Sequence, residues 1–182
     1  MQWLAKFIYF KILRWKVAGN TNISIGKVKK AVVIAAPHTS WLDFPLGILF
    51  RTVIGVKINF VGKKELFVFP FGWFFRALGG VPIDRHTKEN KVEAIAKLFE
   101  DKTEFRMALS PEGTRKKVEE WRTGFYYIAK TANVPIIMAT LDFRKKEIKI
   151  SEPFYTTDDK EADFKFMKNF YKNAIGKVPQ YT

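Results

Sequence analysis

The chain of 182 residues has no cysteine. Disulfides, thiolate metal sites and a Cys nucleophile are therefore excluded, and a reducing compartment is compatible with the sequence. Only two histidines occur, His38 and His86, so a His-rich metal centre is excluded as well. Acidic residues are missing from the first 42 positions: eleven Lys/Arg have passed by Lys64 against the single Asp43. No apolar run approaches the ~20 residues needed to span a bilayer. The longest, Leu66 to Phe75, holds Pro70 and Gly72, and the greasy start from Met1 to Val17 is broken by Lys6, Lys11, Arg14 and Lys16. That spacing of cations argues against a signal-peptide core and a transmembrane helix alike. No Gly-x-Ser-x-Gly elbow is found, which removes the usual signature of a serine hydrolase; Ser40 and Ser110 are the residues such a reading would need.

Aromatics and positive charge are what the chain has in excess. There are 18 Phe, 5 Trp and 6 Tyr, and the formal net charge is +14. A core alone rarely uses so many rings, so some face lipid or line a greasy pocket. The charge points to an anionic partner: an acidic membrane surface, phosphate-bearing substrates or nucleic acid. Against nucleic acid, the cations form no recognisable binding motif and the rings cluster in apolar runs rather than on a polar strand. The first 19 residues, with Trp3, Phe7, Phe10 and Trp15 among cations, read as a helix ending near Gly19–Asn20, an interfacial anchor in preference to a packing helix.

Beyond it, short apolar runs alternate with helical patterns. Strands are expected at Ala31–Ala36, Lys57–Val61, Val81–Asp84, Phe105–Leu109, Pro135–Thr140 and Glu147–Ile150. Helices are expected at Trp41–Ile54, Lys64–Leu78, Glu89–Asp101, Trp121–Asn133 and Asp158–Ile175. The alternation predicts an α/β fold: one globular unit over residues 20–182, a largely parallel mixed sheet flanked by helices, preceded by the surface helix of residues 1–19. The stretch Phe67, Phe69, Phe71, Trp73, Phe74, Phe75 fits either a buried helix face or a hydrophobic surface or tunnel admitting acyl chains.

In such folds ligands gather at the carboxyl ends of strands, and polar motifs stand there. Pro37-His38-Thr39-Ser40-Trp41-Leu42-Asp43 follows the first of these strands and opens a helix. Five residues apart across that turn, His38 and Asp43 can sit side by side, the carboxylate fixing the tautomer while the other ring nitrogen takes a proton. Ser110-Pro111-Glu112-Gly113-Thr114-Arg115 follows Phe105–Leu109: Gly113 permits a tight turn, Thr114 and backbone N–H groups can donate to an anion, and Arg115 offers a fork for phosphate. Gly79-Gly80-Val81-Pro82-Ile83-Asp84-Arg85 puts Arg85 at a strand end where it could meet the same phosphate. Asn133-Val134-Pro135-Ile136 is apolar and reads as core.

Taken in this order, the four elements resemble the glycerolipid acyltransferase family, whose best-known members are the 1-acyl-glycerol-3-phosphate acyltransferases. His-x-x-x-x-Asp matches at His38 and Asp43, Glu-Gly-Thr-Arg at Glu112 to Arg115, Gly-x-x-x-x-x-Arg at Gly79 to Arg85 and Val-Pro-Ile at Val134 to Ile136. Lys63-Lys64-Glu65-Leu66 and Arg122-Thr123-Gly124 look like further family positions. The resemblance implies acyl transfer from acyl-CoA or acyl-carrier protein to a hydroxyl of a lysophosphatidate-like acceptor. His38 and Asp43 would be catalytic, and Arg85, Glu112, Gly113, Thr114 and Arg115 would hold the acceptor's phosphate. It implies no metal and no cofactor beyond the acyl thioester co-substrate. It also implies a peripheral place on an anionic membrane, at the cytoplasmic face of the inner membrane. Pro37 stands where many members carry Asn, and Ser110 where Phe is usual, which leaves other lysolipids or an amino-acid lipid open as acceptor.

Overall fold

A computed structural model describes residues 1–20, 28–83 and 91–182. Among these residues seven strands form one sheet: β1 (Lys16–Gly19), β2 (Lys30–Ala36), β3 (Asn59–Lys63), β4 (Gly80–Ile83), β5 (Phe105–Leu109), β6 (Ile136–Thr140) and β7 (Glu147–Ile150). Their order is β1-β7-β6-β2-β5-β3-β4. All neighbours pair in parallel except β6 with β7. The helices are α1 (Gln2–Lys6, continued by a π-helical Phe7–Ile12), α2 (Asp43–Ile54), α3 (Gly72–Ala77), α4 (Lys91–Glu100), α5 (Gly124–Thr131) and α6 (Lys160–Tyr171).

The alternation of side chains along β2 sorts the interior into two layers. Ala31 and Val33 point to the face covered by α1 and α2, where Tyr9, Trp15, Phe50 and Val53 join them. Val32, Ile34 and Ala36 point to the other face, packed by Phe99 of α4, Phe125 and Ile128 of α5 and Met167 and Tyr171 of α6. Both faces of the central strands are thus covered, as parallel sheets require. The one fully buried cation among the described residues, Arg106 on β5 (1% exposed), is neutralised by Glu104 and donates to the carbonyls of Val28 and Lys57.

Three sequence expectations are corrected. The N-terminal helix stops at Ile12, not at residue 19. Arg14 takes a left-handed φ of 58°, Trp15 turns into the core edge-to-face on Phe143, and Lys16–Gly19 becomes a strand beside β7. Residues 16–19 thus pair within the same sheet as the residues that follow. Lys64–Leu78 is not one helix: a 3-10 turn (Lys64–Phe67) and α3 are separated by Pro70, whose missing N–H cannot continue a helix. The stretch is mostly solvent-facing, with only Phe67 of its six rings buried, so it is not a buried helix face. The remaining expected strands and helices exist with ends shifted by a few residues. The predicted Asp84, Arg85, Glu89 and Asn90 lie outside the described residues. Among the described residues no helix is long and apolar enough to cross a membrane.

Candidate active site

Because β2, β5 and β3 run in parallel, their carboxyl ends release the chain along one edge of the sheet. Ile34 on β2 is level with Leu109 on β5, so the turns beginning at Pro37 and Ser110 leave side by side. The first turn leads into α2, whose first residue is Asp43, a position where the helix's free N–H groups and dipole favour a carboxylate. Asp43 is buried. Its Oδ2 accepts from the Thr39 and Ser40 N–H groups, each at 2.9 Å, and lies 2.8 Å from His38 Nδ1. Three donors on one oxygen fix the carboxylate, and the carboxylate fixes the imidazole with Nδ1–H toward it. Nε2 is then the nitrogen left to accept a proton. The second oxygen, Oδ1, is buried with no hydrogen-bond partner among the described residues. A buried carboxylate oxygen with spare acceptor capacity would gain from a neighbouring imidazolium, the form His38 would take on accepting a proton.

From the neighbouring turn, Glu112 reaches across to the backbone of the first. Its carboxylate accepts from the His38 N–H, at 2.9 Å to Oε2 and 3.2 Å to Oε1, and from the Ser110 hydroxyl at 2.8 Å. Burial raises the Glu112 carboxyl above its ordinary pKa, while the bonds from Ser110 and His38 pull the other way. Engaged in this way, Glu112 braces the histidine-bearing backbone from a position 74 residues away. Gly113 has φ 67°, and a Cβ there would fall 2.5 Å from Nε of Arg122, so turn and arginine are packed together. Ser40 Oγ accepts from the Leu42 N–H and Ser110 Oγ serves Glu112; neither is bonded to the His38 ring.

His38, Asp43, Gly113, Thr114 and Arg115 all line one cavity of about 660 Å³ between the sheet and α2. That is ample for a chain-like ligand. Its walls are mostly apolar: Val33, Ala35, Ala108, Leu109 and Ala139 from the strands, and Phe44, Gly47, Ile48 and Arg51 from α2. The α2 residues recur at helical spacing, one face turned to the cavity. Around Gly47, which has nothing within 4 Å of where a Cβ would sit, the wall is open. Arg51 is the cation that α2 contributes to these walls; burial lowers its pKa, and it donates to the Ile58 carbonyl. Thus the structure brings together His38, Asp43 and the 112–115 turn. Among the described residues no group of three His, Asp or Glu gathers as a metal site.

Three contributors carried no sequence signal. Thr39 is buried behind His38; its hydroxyl accepts from the Val178 N–H at 3.1 Å, and Gly176 packs so close that a Cβ would lie 2.5 Å from Thr39 Oγ1. Gly47 and Arg51 read only as residues of an apolar helix; the open wall and the half-buried cation became visible once α2 was laid on the sheet.

The family model described as Acyltransferase matches residues 14–141. Over 134 residues, 71% of the chain, the sequence is 31% identical to a 1-acyl-sn-glycerol-3-phosphate acyltransferase of Streptococcus pneumoniae. Over 105 residues, 56% of the chain, it is 35% identical to a lyso-ornithine lipid O-acyltransferase of Rhodobacter capsulatus. The matched parts span 50% and 33% of those two proteins. The crystal structure of the 1-acyl-sn-glycerophosphate acyltransferase of Thermotoga maritima superposes with a TM-score of 0.60 over 94% of this chain and 77% of that one, at 21% identity, and so shares the fold.

Proposed function

The chain belongs to the glycerolipid acyltransferase family, and from that premise we propose that it moves a fatty acyl group from acyl-CoA or acyl-carrier protein onto the hydroxyl of a lysophosphatidate-like lipid. The observation that carries the reading is the His38–Asp43 pair, 2.8 Å apart, at the polar end of a largely apolar cavity. In this reading His38 Nε2 takes the proton of the acceptor hydroxyl while Asp43 stabilises the resulting imidazolium. The hydroxyl oxygen bonds to the thioester carbonyl carbon, giving a tetrahedral oxyanion. Collapse breaks the carbon–sulfur bond, and His38 returns its proton to the leaving thiolate. Arg115, with Thr114 and the backbone of Gly113, holds the acceptor's phosphate, and Arg85 serves the same anion; holding the hydroxyl in place supplies much of the rate gain in a two-substrate transfer. Glu112 keeps the His38 backbone in register. No metal or further cofactor takes part. The membrane supplies the lipid substrates, and the exposed Trp3, Leu4, Phe7 and Phe10 beside Lys6 and Lys11 rest on the headgroups of an anionic leaflet, at the cytoplasmic face of the inner membrane.

A second acceptor class is favoured by one observation: the segment similar to the lyso-ornithine lipid enzyme is the more identical of the two. In that reading an amino-acid lysolipid takes the place of lysophosphatidate, with Ser110 where the family usually has Phe. The test is thiol release from palmitoyl-CoA in mixed micelles, with lysophosphatidate, with lyso-ornithine lipid and with neither, for wild type and His38→Ala. Acceptor-dependent release lost in the variant supports transfer and assigns the base. Acceptor-independent release sinks it in favour of hydrolysis. The preferred acceptor decides between the two lipids.

A further inference from the structure

We propose that the segment Leu66–Phe74 is a second, preformed membrane contact that seats the carboxyl edge of the sheet against an anionic bilayer, next to the mouth of the cavity. It carries a row of large apolar side chains turned outward: Leu66, Val68, Phe69, Phe71, Trp73 and Phe74, with Phe69 94% and Trp73 71% exposed. Exposed apolar surface of this extent marks an interaction site.

The segment is held as a rigid platform. The Phe67 ring is buried between Gly62 and Gly80, where a Cβ would come within 2.9 and 2.7 Å of it. Arg76 stacks 5.6 Å over the same ring and donates to the Phe67 carbonyl at 2.9 Å. Backbone bonds from Gly72 to Val68, Phe75 to Phe71 and Leu78 to Phe74 close the turns. With the inward ring locked, its neighbours are left pointing out without needing to be ordered on binding, which lowers the entropic cost of insertion.

Its position fits a bilayer. The segment follows β3, whose carboxyl end lies on the edge that carries His38 and Ser110, since β3 is parallel to β5. The exposed Ile12 and Leu13 lie on that edge too: the Leu13 carbonyl accepts from Lys146 Nζ, and Lys16 pairs with Glu147, which is bridged to Asp142 just past β6. From β1 to β3 is five strand spacings, about 24 Å at ~4.8 Å each. Two apolar elements therefore flank the edge, and the cavity reaches it between them. Charge selects the occupant. Residues 61–83, which hold the segment, contain three cations (Lys63, Lys64, Arg76) against Glu65, and the chain carries +14 overall. An anionic leaflet complements that field, whereas a second copy of the chain would be repelled by it. The proposal rests on the acyl-transfer reading only for what enters the cavity; the docking is measured without turnover.

Since the chain has no cysteine, single probes are available. Phe69→Cys and Thr103→Cys, the latter exposed before β5 at the opposite edge, are each labelled with an environment-sensitive fluorophore and titrated with phosphatidylglycerol/phosphatidylcholine vesicles. The probe at 69 should shift to the blue and brighten while the probe at 103 does not. The full-length triple variant Phe69→Ser/Phe71→Ser/Trp73→Ser should need about tenfold more lipid for half-maximal binding, with unchanged circular dichroism and thermal midpoint. With a short-chain donor and acceptor kept monomeric, its turnover should match wild type. Equal responses at 69 and 103, or undiminished vesicle binding by the triple variant, would overturn the proposal. So would concentration-dependent self-association that the triple variant abolishes while vesicle binding stays intact. Wild type that binds vesicles through residue 69 yet transfers no acyl group would refute the enzymatic reading and leave the docking surface standing.

Discussion

The two faces of the sheet are built from the same strands but differ in how they are filled. Toward α4, α5 and α6 the face is solid: Ile34, Phe99, Phe105, Met107, Ile136 and Met167 are almost fully buried, and Tyr171 donates to the Ile34 carbonyl at 2.6 Å. Toward α2 the face is hollow, with the 660 Å³ cavity over β2, β5 and β6. Close packing is where stability comes from, and an unfilled apolar space forgoes those contacts. A fold that keeps one face solid can leave the other open to a ligand. The contrast predicts that substitutions on the solid face act on folding, and those on the hollow face act on catalysis and specificity.

The largest effect belongs to the hollow face. Asp43→Asn removes the charge that steadies an imidazolium and allows the wrong His38 tautomer. Transfer should fall by about 10²–10⁴-fold, while the thermal midpoint moves far less than such a loss implies. A comparable collapse of folding would show Asp43 to be mainly structural. Next comes the solid face. Ile136→Ala, at a fully buried β6 position, should cost about 2–5 kcal/mol in denaturant unfolding and leave kcat per folded molecule within about twofold of wild type, because the side chain lies behind the sheet. A specific loss of kcat would break the division of labour between the faces.

Gly47 sharpens the comparison by filling the hollow. Gly47→Leu extends a side chain from α2 into open cavity, so folding should be unaffected or stabilised by up to about 1 kcal/mol, the helix penalty of glycine being relieved. The ratio of kcat/KM for palmitoyl over octanoyl thioester should drop by about tenfold. An unchanged ratio would mean that the chain lies elsewhere.

How much of this was legible in the sequence follows from the range of the interactions. The α/β class and most elements were readable because hydrophobic period and breakers act locally. So was the His38–Asp43 pair, five residues apart. β1 was not readable, because Lys16–Gly19 becomes a strand only by pairing with Glu147–Ile150, and a short stretch with one cation next to a greasy helix reads as its continuation. The break after Phe67 was signalled by Pro70 and Gly72, but the socket that holds the ring is assembled from β3 and β4. Glu112 was legible as a motif member and not as a brace, since its partner is the backbone of His38, 74 residues away; Val178 supports Thr39 from 139 residues away.

The smallest predicted effect concerns that brace. Burial raises the Glu112 carboxyl above its ordinary value of 4.5, so ionising it costs more in the native state than in the unfolded chain. For a group raised on folding, the associated stability is complete below the unfolded pKa and is lost as pH climbs through the folded one. Glu112→Gln is uncharged at every pH and cannot follow that loss. Near pH 4 the two proteins should melt within a degree or so of each other; toward pH 7 the variant should gain on wild type by about the same small margin. Activity should move the opposite way. A neutral amide accepts the His38 N–H less strongly than a carboxylate, so acceptor-dependent transfer at pH 7 should fall by about tenfold. A melting difference that instead favours wild type more strongly as pH rises would mean that the Ser110 and His38 donors outweigh the burial of the charge. The brace would then be a source of stability, and the hollow face would contribute to folding at this one position.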